Sequence, residues 1–133
     1  MDHPIELSQL PPQLQKFCDP TKPARMMAAK GLVPLGPNDL VTVLYQLSHD
    51  HEEPIRTAAT AKRESLPPNI LEGALKSDLL PQVLDFYARN LIKEEALLEV
   101  ILLNHATADE TIAWCAKRTS ERLSEIVAVN EQR

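Results

Sequence analysis

The sequence predicts an all-α fold, a stack of about seven or eight short helices in helical-repeat order. Three observations carry this. Pro23, Pro37, Pro54, Pro68 and Pro81 each stand one to four residues ahead of an apolar periodic segment, at successive spacings of 14, 17, 14 and 13 residues. Proline lacks an N–H and has a fixed φ, so it suits the first position of a helix and damages its middle. Each interval holds one helix of roughly 9–12 residues plus a connection, close to the mean helix length. Helices that short are marginal alone and must be stabilised by stacking on neighbours. Finally, 3 Gly against 11 Pro argues against the glycine-rich hairpin turns of a β fold.

Taken in order, residues 1–22 read as an irregular lead-in, with Pro11 and Pro12 starting a single turn that holds Leu14 and Phe17. Residues 23–133 read as the helical-repeat domain. A first helix runs from Pro23 to about Lys30, and Gly31 is placed to end it in the left-handed conformation. The second opens at Pro37, with Leu40, Val41, Leu44 and Leu47 as its stripe. The third opens at Pro54 with Ile55, Ala58 and Ala59 inward, the fourth at Pro68 with Ile70, Leu71, Ala74 and Leu75. The fifth opens at Pro81 with Val83, Leu84 and Tyr87, and Asn90 can take the left-handed position at its end. Glu94 and Glu95 suit the first turn of a sixth helix, where negative charge meets the helix dipole. That helix is the most hydrophobic and is expected to be central. Thr107-x-x-Glu110 has the form of a capping box for a seventh helix carrying Ile112, Cys115 and Ala116. Ser120 can cap an eighth, with Leu123, Ile126 and Val127 as its stripe. That last helix shows no polar outer face of the kind a repeat array needs at its end. The sequence therefore predicts a fragment of a longer polypeptide, or self-association through the C-terminal helix.

Charge and composition narrow the function classes. Hydrophobic residues make up 44% of the 133-residue chain and aromatic residues 4%, so the core is mainly aliphatic. Net charge is −5, with 7 basic and 8 acidic groups in residues 1–66 against 7 and 11 in residues 67–133. An acidic chain without a basic stripe is poorly suited to phosphate backbones, which disfavours nucleic acid. No apolar run approaches the ~18 residues of a membrane span. The opening MDHPIEL lacks the basic-then-apolar order of a signal peptide. Cys18 and Cys115, far apart in sequence, read as reduced thiols of a cytoplasmic protein.

A repeat appears on shifting the sequence by 28: Leu47, Asp50 and Ile55 land on Leu75, Asp78 and Val83. Here the chain resembles the HEAT-like family and its relative, the leucine-rich repeat variant. Their units recur as an apolar residue, Asp, a short turn, an apolar-Arg pair and small residues. Leu47, Asp50, Ile55-Arg56 and Ala58-Ala59 follow that pattern. The second copy departs from it, with Leu84 where Arg56 stands and Phe86-Tyr87 in place of the alanines. VILLNHATADETIAWCAK also resembles a variant-repeat unit. The resemblance covers about residues 23–130. It implies an α-solenoid with a ligand-binding concave face and no enzyme activity, and gives Asp50 and Arg56 a structural role. The variant family can carry an iron–sulfur cluster on a cysteine-rich N-terminal segment; Cys18 alone stands there, so that feature does not carry over.

No catalytic constellation emerges. His49-Asp50-His51 alternates possible metal ligands, but a zinc site needs three or four in fixed geometry; a solvated turn is the better reading, with Asp50 accepting from backbone N–H groups of the turn or pairing with Arg56. Cys115 with His105 has the composition of a nucleophile and base, yet Cys115 lies on an apolar stripe, where cysteine is usually a small buried hydrophobe. No cofactor or metal is expected. Trp114 falls off the stripe of its helix, and tryptophan is enriched at interface hot spots. With Lys117 and Arg118 it is a candidate contact for a protein partner, as is Tyr45. The leading expectation is a non-catalytic protein-interaction or scaffolding module. The alternatives are an enzyme or enzyme subunit with a site in the groove, marked by a pocket of His105, Cys115 and carboxylates, or a nucleic-acid-binding repeat, marked by a positive ridge of Lys62, Arg63, Arg89 and Lys93.

Overall fold

The computed structural model describes residues 4–19 and 23–118, and among them eight α-helices and no strand. Proline opens most of the helices: Pro12, Pro37, Pro54 and Pro81 occupy the first or second helical position, and Pro68 begins its helix. At seven of these helix starts no side chain caps the backbone, with proline or without it; where proline stands, its fixed φ favours the first helical turn. The chain divides into two compact units, Asp2–Pro67 and Pro68–Arg133.

The first unit holds α1 (Pro12–Cys18), α2 (Arg25–Ala29), α3 (Pro37–Leu47) and α4 (Glu53–Glu64). The segment read as an irregular lead-in contributes a 3-10 turn, Leu7–Gln9, and then α1. Ile5, Leu10, Leu14 and Cys18 from this segment are buried. Its start is held to α3 by a two-point bond: Ile5 N donates to Gln46 Oε1 and Gln46 Nε2 donates to the Ile5 carbonyl, both at 2.8 Å. The centre is α3, whose Val41, Val43, Leu44, Tyr45 and Leu47 are fully buried. It packs on α1, α2 and α4. The short α2 ends as expected at Gly31, φ 71°, the one positive φ among the described residues. Leu32 N donates to the Met27 carbonyl and Gly31 N to that of Ala28, which closes a Schellman motif.

The second unit holds α5 (Pro68–Leu75), α6 (Pro81–Asn90), α7 (Glu95–Leu103) and α8 (Asp109–Ala116). Helix α6 packs on α7 and α8, and α5 packs on α7. The most hydrophobic helix, expected to be central, shares that place with its neighbour: α7 packs on α5 and α6, and α6 on α7 and α8. Helix α7 buries Leu98, Ile101 and Leu102 but leaves Leu103 45% exposed, whereas α6 buries Val83, Leu84, Asp85, Tyr87 and Ala88. Two end signals also differ. Asn90 has no positive φ and instead donates its side-chain amide to the Phe86 carbonyl. Thr107 does not cap α8, which starts from Ala108; its hydroxyl donates to the Ile101 carbonyl at 2.6 Å, tying the loop back to α7. The helix expected after Ser120 lies outside the described residues. No helix among the described residues is long and apolar enough to cross a membrane.

Candidate partner-contact site

In the second unit the sequence places Asp85 and Arg89 four residues apart on α6, and Thr111, Trp114 and Arg118 at intervals of three and four along α8 and its end. Residues so spaced share a helix face. Asp85 is 1% exposed, a position where a carboxylate needs partners to offset desolvation. It has two: the Thr111 hydroxyl donates to Oδ1 at 2.6 Å, and Arg89 Nε donates to Oδ2 at 2.9 Å. The buried carboxylate thus joins α6 to α8 and fixes the Arg89 side chain, itself 34% exposed.

Fixed in this way, Arg89 lies over the half-buried Trp114 ring, its guanidinium carbon 4.7 Å from the centroid. The Arg118 guanidinium lies 4.3 Å from the same centroid, and its Nη1 donates to the Trp114 carbonyl at 2.9 Å. Two cations over one indole are attracted by its quadrupole. Lys117 is exposed beside them. Beneath lies Cys115, fully buried, its thiol pushed up to about 11, by desolvation first and then by Asp85, with Arg89 and Arg118 opposing. A thiol so placed stays protonated at neutral pH and packs as a small hydrophobe.

The first unit gathers charge differently. Arg25, 6% exposed, donates Nη1 to Asp50 Oδ2 at 2.6 Å and Nη2 to Glu52 Oε1 at 2.7 Å. The hydrogen bond to Glu52 raises the Arg25 pKa further, desolvation opposes it, and the hydrogen bond and charge of Asp50 add to the rise. Asp50 Oδ2 also accepts the Glu52 N–H at 3.0 Å, as the turn reading expects. Arg56 does not meet the carboxylate: its Nη1 donates to the Asp50 carbonyl oxygen at 2.8 Å. The Asp50–Arg56 pairing is therefore replaced by Arg25–Asp50, with Arg56 bracing the same turn through its backbone. Tyr45 is 0% exposed, its ring 4.7 Å from that of His49, so it is a core residue and not a surface contact.

A cleft of about 300 Å3 runs past Cys18, Gln46, His49, Asp50 and His51. Burial, then Asp50, pushes the Cys18 thiol up to about 12, the opposite of what a thiolate nucleophile requires. His105 sits elsewhere, its Nε2 2.9 Å from Asp78 Oδ1 with both side chains exposed. The shallow cavity beside it is lined by Lys76, Val100, Leu103, Asn104 and His105, without Cys115. No group of three metal-ligating side chains occurs among the described residues.

Of the sequence-predicted contacts, Trp114 and Arg118 are brought together, Lys117 is exposed next to them, and Tyr45 is withdrawn. Sequence reasoning missed Asp85 and Thr111. The Asp85-x-x-x-Arg89 spacing was available as a signal, but nothing in the sequence pairs α6 with α8. No family model matches the chain, and no curated protein or solved structure matches it either.

Proposed function

We propose that this chain is a non-catalytic protein-interaction or scaffolding module of helical-repeat type, HEAT-like or akin to the leucine-rich repeat variant. Two features support the repeat reading. In the first unit each helix packs on the next and on the next but one; in the second, α5–α7 and α6–α8 repeat the next-but-one contact, and α6–α7 is the packed adjacent pair. Repeat arrays draw their stability from such neighbour contacts. The loops after α3 and α7 also share a device. Asp50 Oδ2 accepts the N–H two residues on, and so does Asn104 Oδ1, from Ala106 at 2.9 Å. Each then reaches a preceding helix: Asp50 through Arg25 of α2, and Asn104 by donating to the Leu75 and Ser77 carbonyls at the end of α5.

The observation that carries the interaction reading is the half-buried Trp114 with two arginine guanidiniums over its ring, one of them fixed by a buried carboxylate. Tryptophan and arginine are the residues most enriched at interface hot spots, and a side chain held before binding loses less entropy on binding. The test is affinity capture from the native cell with the full chain as bait. A specific partner should be retained by Lys30→Ala, an exposed control, and lost by both Trp114→Ala and Arg118→Glu, with each variant's helicity checked by circular dichroism. An identical set of captured proteins for Trp114→Ala and the unaltered chain would remove the reading.

A further inference from the structure

The cluster described above has donors left over, and their geometry selects a ligand. A guanidinium carries five N–H donors. Arg89 commits Nε to Asp85, and Arg118 commits Nη1 to the Trp114 carbonyl. Their remaining N–H groups meet no partner among the described residues. Charge is also left over. The Asp85 carboxylate is matched by Arg89, whereas Arg118 and Lys117 make no ion pair among the described residues. Both guanidinium carbons lie over the Trp114 ring, 4.7 Å and 4.3 Å from its centroid, while N–H groups of each remain uncommitted. A guanidinium edge with two parallel N–H groups matches a carboxylate in bidentate fashion.

We infer that Arg89 and Arg118 receive two acidic side chains of one peptide segment, Asp or Glu residues of a partner, with the Trp114 ring against the stem between them. This rests on the interaction-module reading and names the partner's chemistry. Two separate forks suit two separate carboxylates. The surrounding chain favours a short acidic stretch over a long polyanion. Its net charge of −5 repels RNA over its whole length, while a few residues of peptide feel the local cations within a Debye length of about 8–10 Å.

Trp114 is the only tryptophan in the sequence, so its emission reports on this site alone. The full chain is titrated with a hexaglutamate peptide, with hexaglutamine and with a uridine hexanucleotide. The expected result is a saturable change in emission with hexaglutamate in the micromolar range and none with hexaglutamine. Arg118→Gln, an exposed change that spares the fold, should weaken the hexaglutamate response by at least about tenfold, the loss of one charge-assisted contact. Silence with hexaglutamate, equal affinity in Arg118→Gln, or a tighter response to the oligonucleotide overturns the inference. If hexaglutamate is silent while Trp114→Ala still loses the captured partner, the carboxylate ligand is wrong and the interaction module stands. If capture is independent of Trp114, both fall.

Discussion

Asp85→Ala puts the buried link between α6 and α8 to a quantitative test. The substitution removes a carboxylate that is 1% exposed and holds two donors, at 2.6 Å and 2.9 Å. Removing one partner of a buried ion pair costs about 3–5 kcal/mol, mostly because the other charge is left uncompensated. Arg89 is 34% exposed and can rehydrate, which lowers the expected cost to about 2–4 kcal/mol. The Thr111 hydroxyl is fully buried and must find another acceptor, which keeps the cost from falling further. With a urea dependence of ~2 kcal/mol per molar, the midpoint should drop by roughly 1–2 M. Thr111→Val, which keeps the shape and deletes one donor, should cost only about 1–2 kcal/mol. A cycle of Asp85→Ala with Arg89→Met should return a coupling of roughly 1–3 kcal/mol. The emission of Trp114 in native Asp85→Ala should also change, since Arg89 loses its tether. A destabilisation of Asp85→Ala below about 0.5 kcal/mol, the size of an ordinary surface change, would mean that the carboxylate is solvated and that the argument for a prearranged Arg89 is wrong.

Arg25→Ala should cost about 3–5 kcal/mol in the same melts because it leaves Asp50 buried without its cation, while Arg56→Ala, which loses a bond to a backbone carbonyl, should cost about 1–2 kcal/mol; the reverse order would restore Arg56 as the partner of Asp50. Gly31→Ala should cost about 1–2 kcal/mol, since φ 71° is strained for alanine and the new Cβ meets the flexible end of Lys62; an unchanged melt would show that α2 can end without the left-handed residue. Both thiols have folded pKa values above those of unfolded cysteine, about 12 for Cys18 and about 11 for Cys115. The folded state then holds protons that the unfolded state releases. Their contribution is fully present below the unfolded value and is lost as pH rises from about 9 toward 11 and 12, at up to about 1.4 kcal/mol per pH unit for each thiol. Urea melts from pH 8 to pH 11 should fall faster for the unaltered chain than for Cys115→Ala, and parallel curves would contradict the burial of that thiol.

The parts of this fold that are legible in sequence are those decided within a few residues. Pro37, Pro54, Pro68 and Pro81 mark helix starts because the missing N–H acts locally. Gly31 marks the end of α2 because only its own φ is at issue. Position Trp114 and Arg118 belong to the same class, since four residues along a helix bring side chains together whatever surrounds them. What the sequence hides is decided between elements. The sequence suggests Arg56 as the partner of Asp50 because it is near; the carboxylate instead takes Arg25, which arrives on another helix. Apolar content marks α7 as central, yet α6 and α7 each pack on two neighbours, and the less apolar α6 buries more of its side chains. Arg89 becomes part of the Trp114 site only through that same packing.

The repeat register shows the same division between local and tertiary control, and it decides what kind of repeat to look for. A shift of 28 residues aligns Asp50 with Asp78, identical residues in comparable turns. In the folded chain Asp78 is exposed, 80% by side chain, and pairs with the exposed His105, an arrangement of the kind that contributes little to stability. The work that Asp50 does in its loop is done in the second unit by the buried Asn104, which the alignment leaves unmatched. Asp and Asn are equivalent for this purpose because each offers an Oδ acceptor to the N–H two residues on. They differ in what else they can hold. A carboxylate draws a buried arginine, whereas an amide can itself donate to backbone carbonyls, as Asn104 does to Leu75 and Ser77. A search for further copies should therefore score a side-chain oxygen at this loop position together with its reach to an earlier helix, because residue identity alone selects Asp78. Asn104→Asp tests the distinction. It keeps the acceptor for Ala106 but turns the amide that faces two carbonyl oxygens into a repelling carboxylate. It should therefore destabilise by about 2–3 kcal/mol at pH 7, and by less as acid protonates the new group.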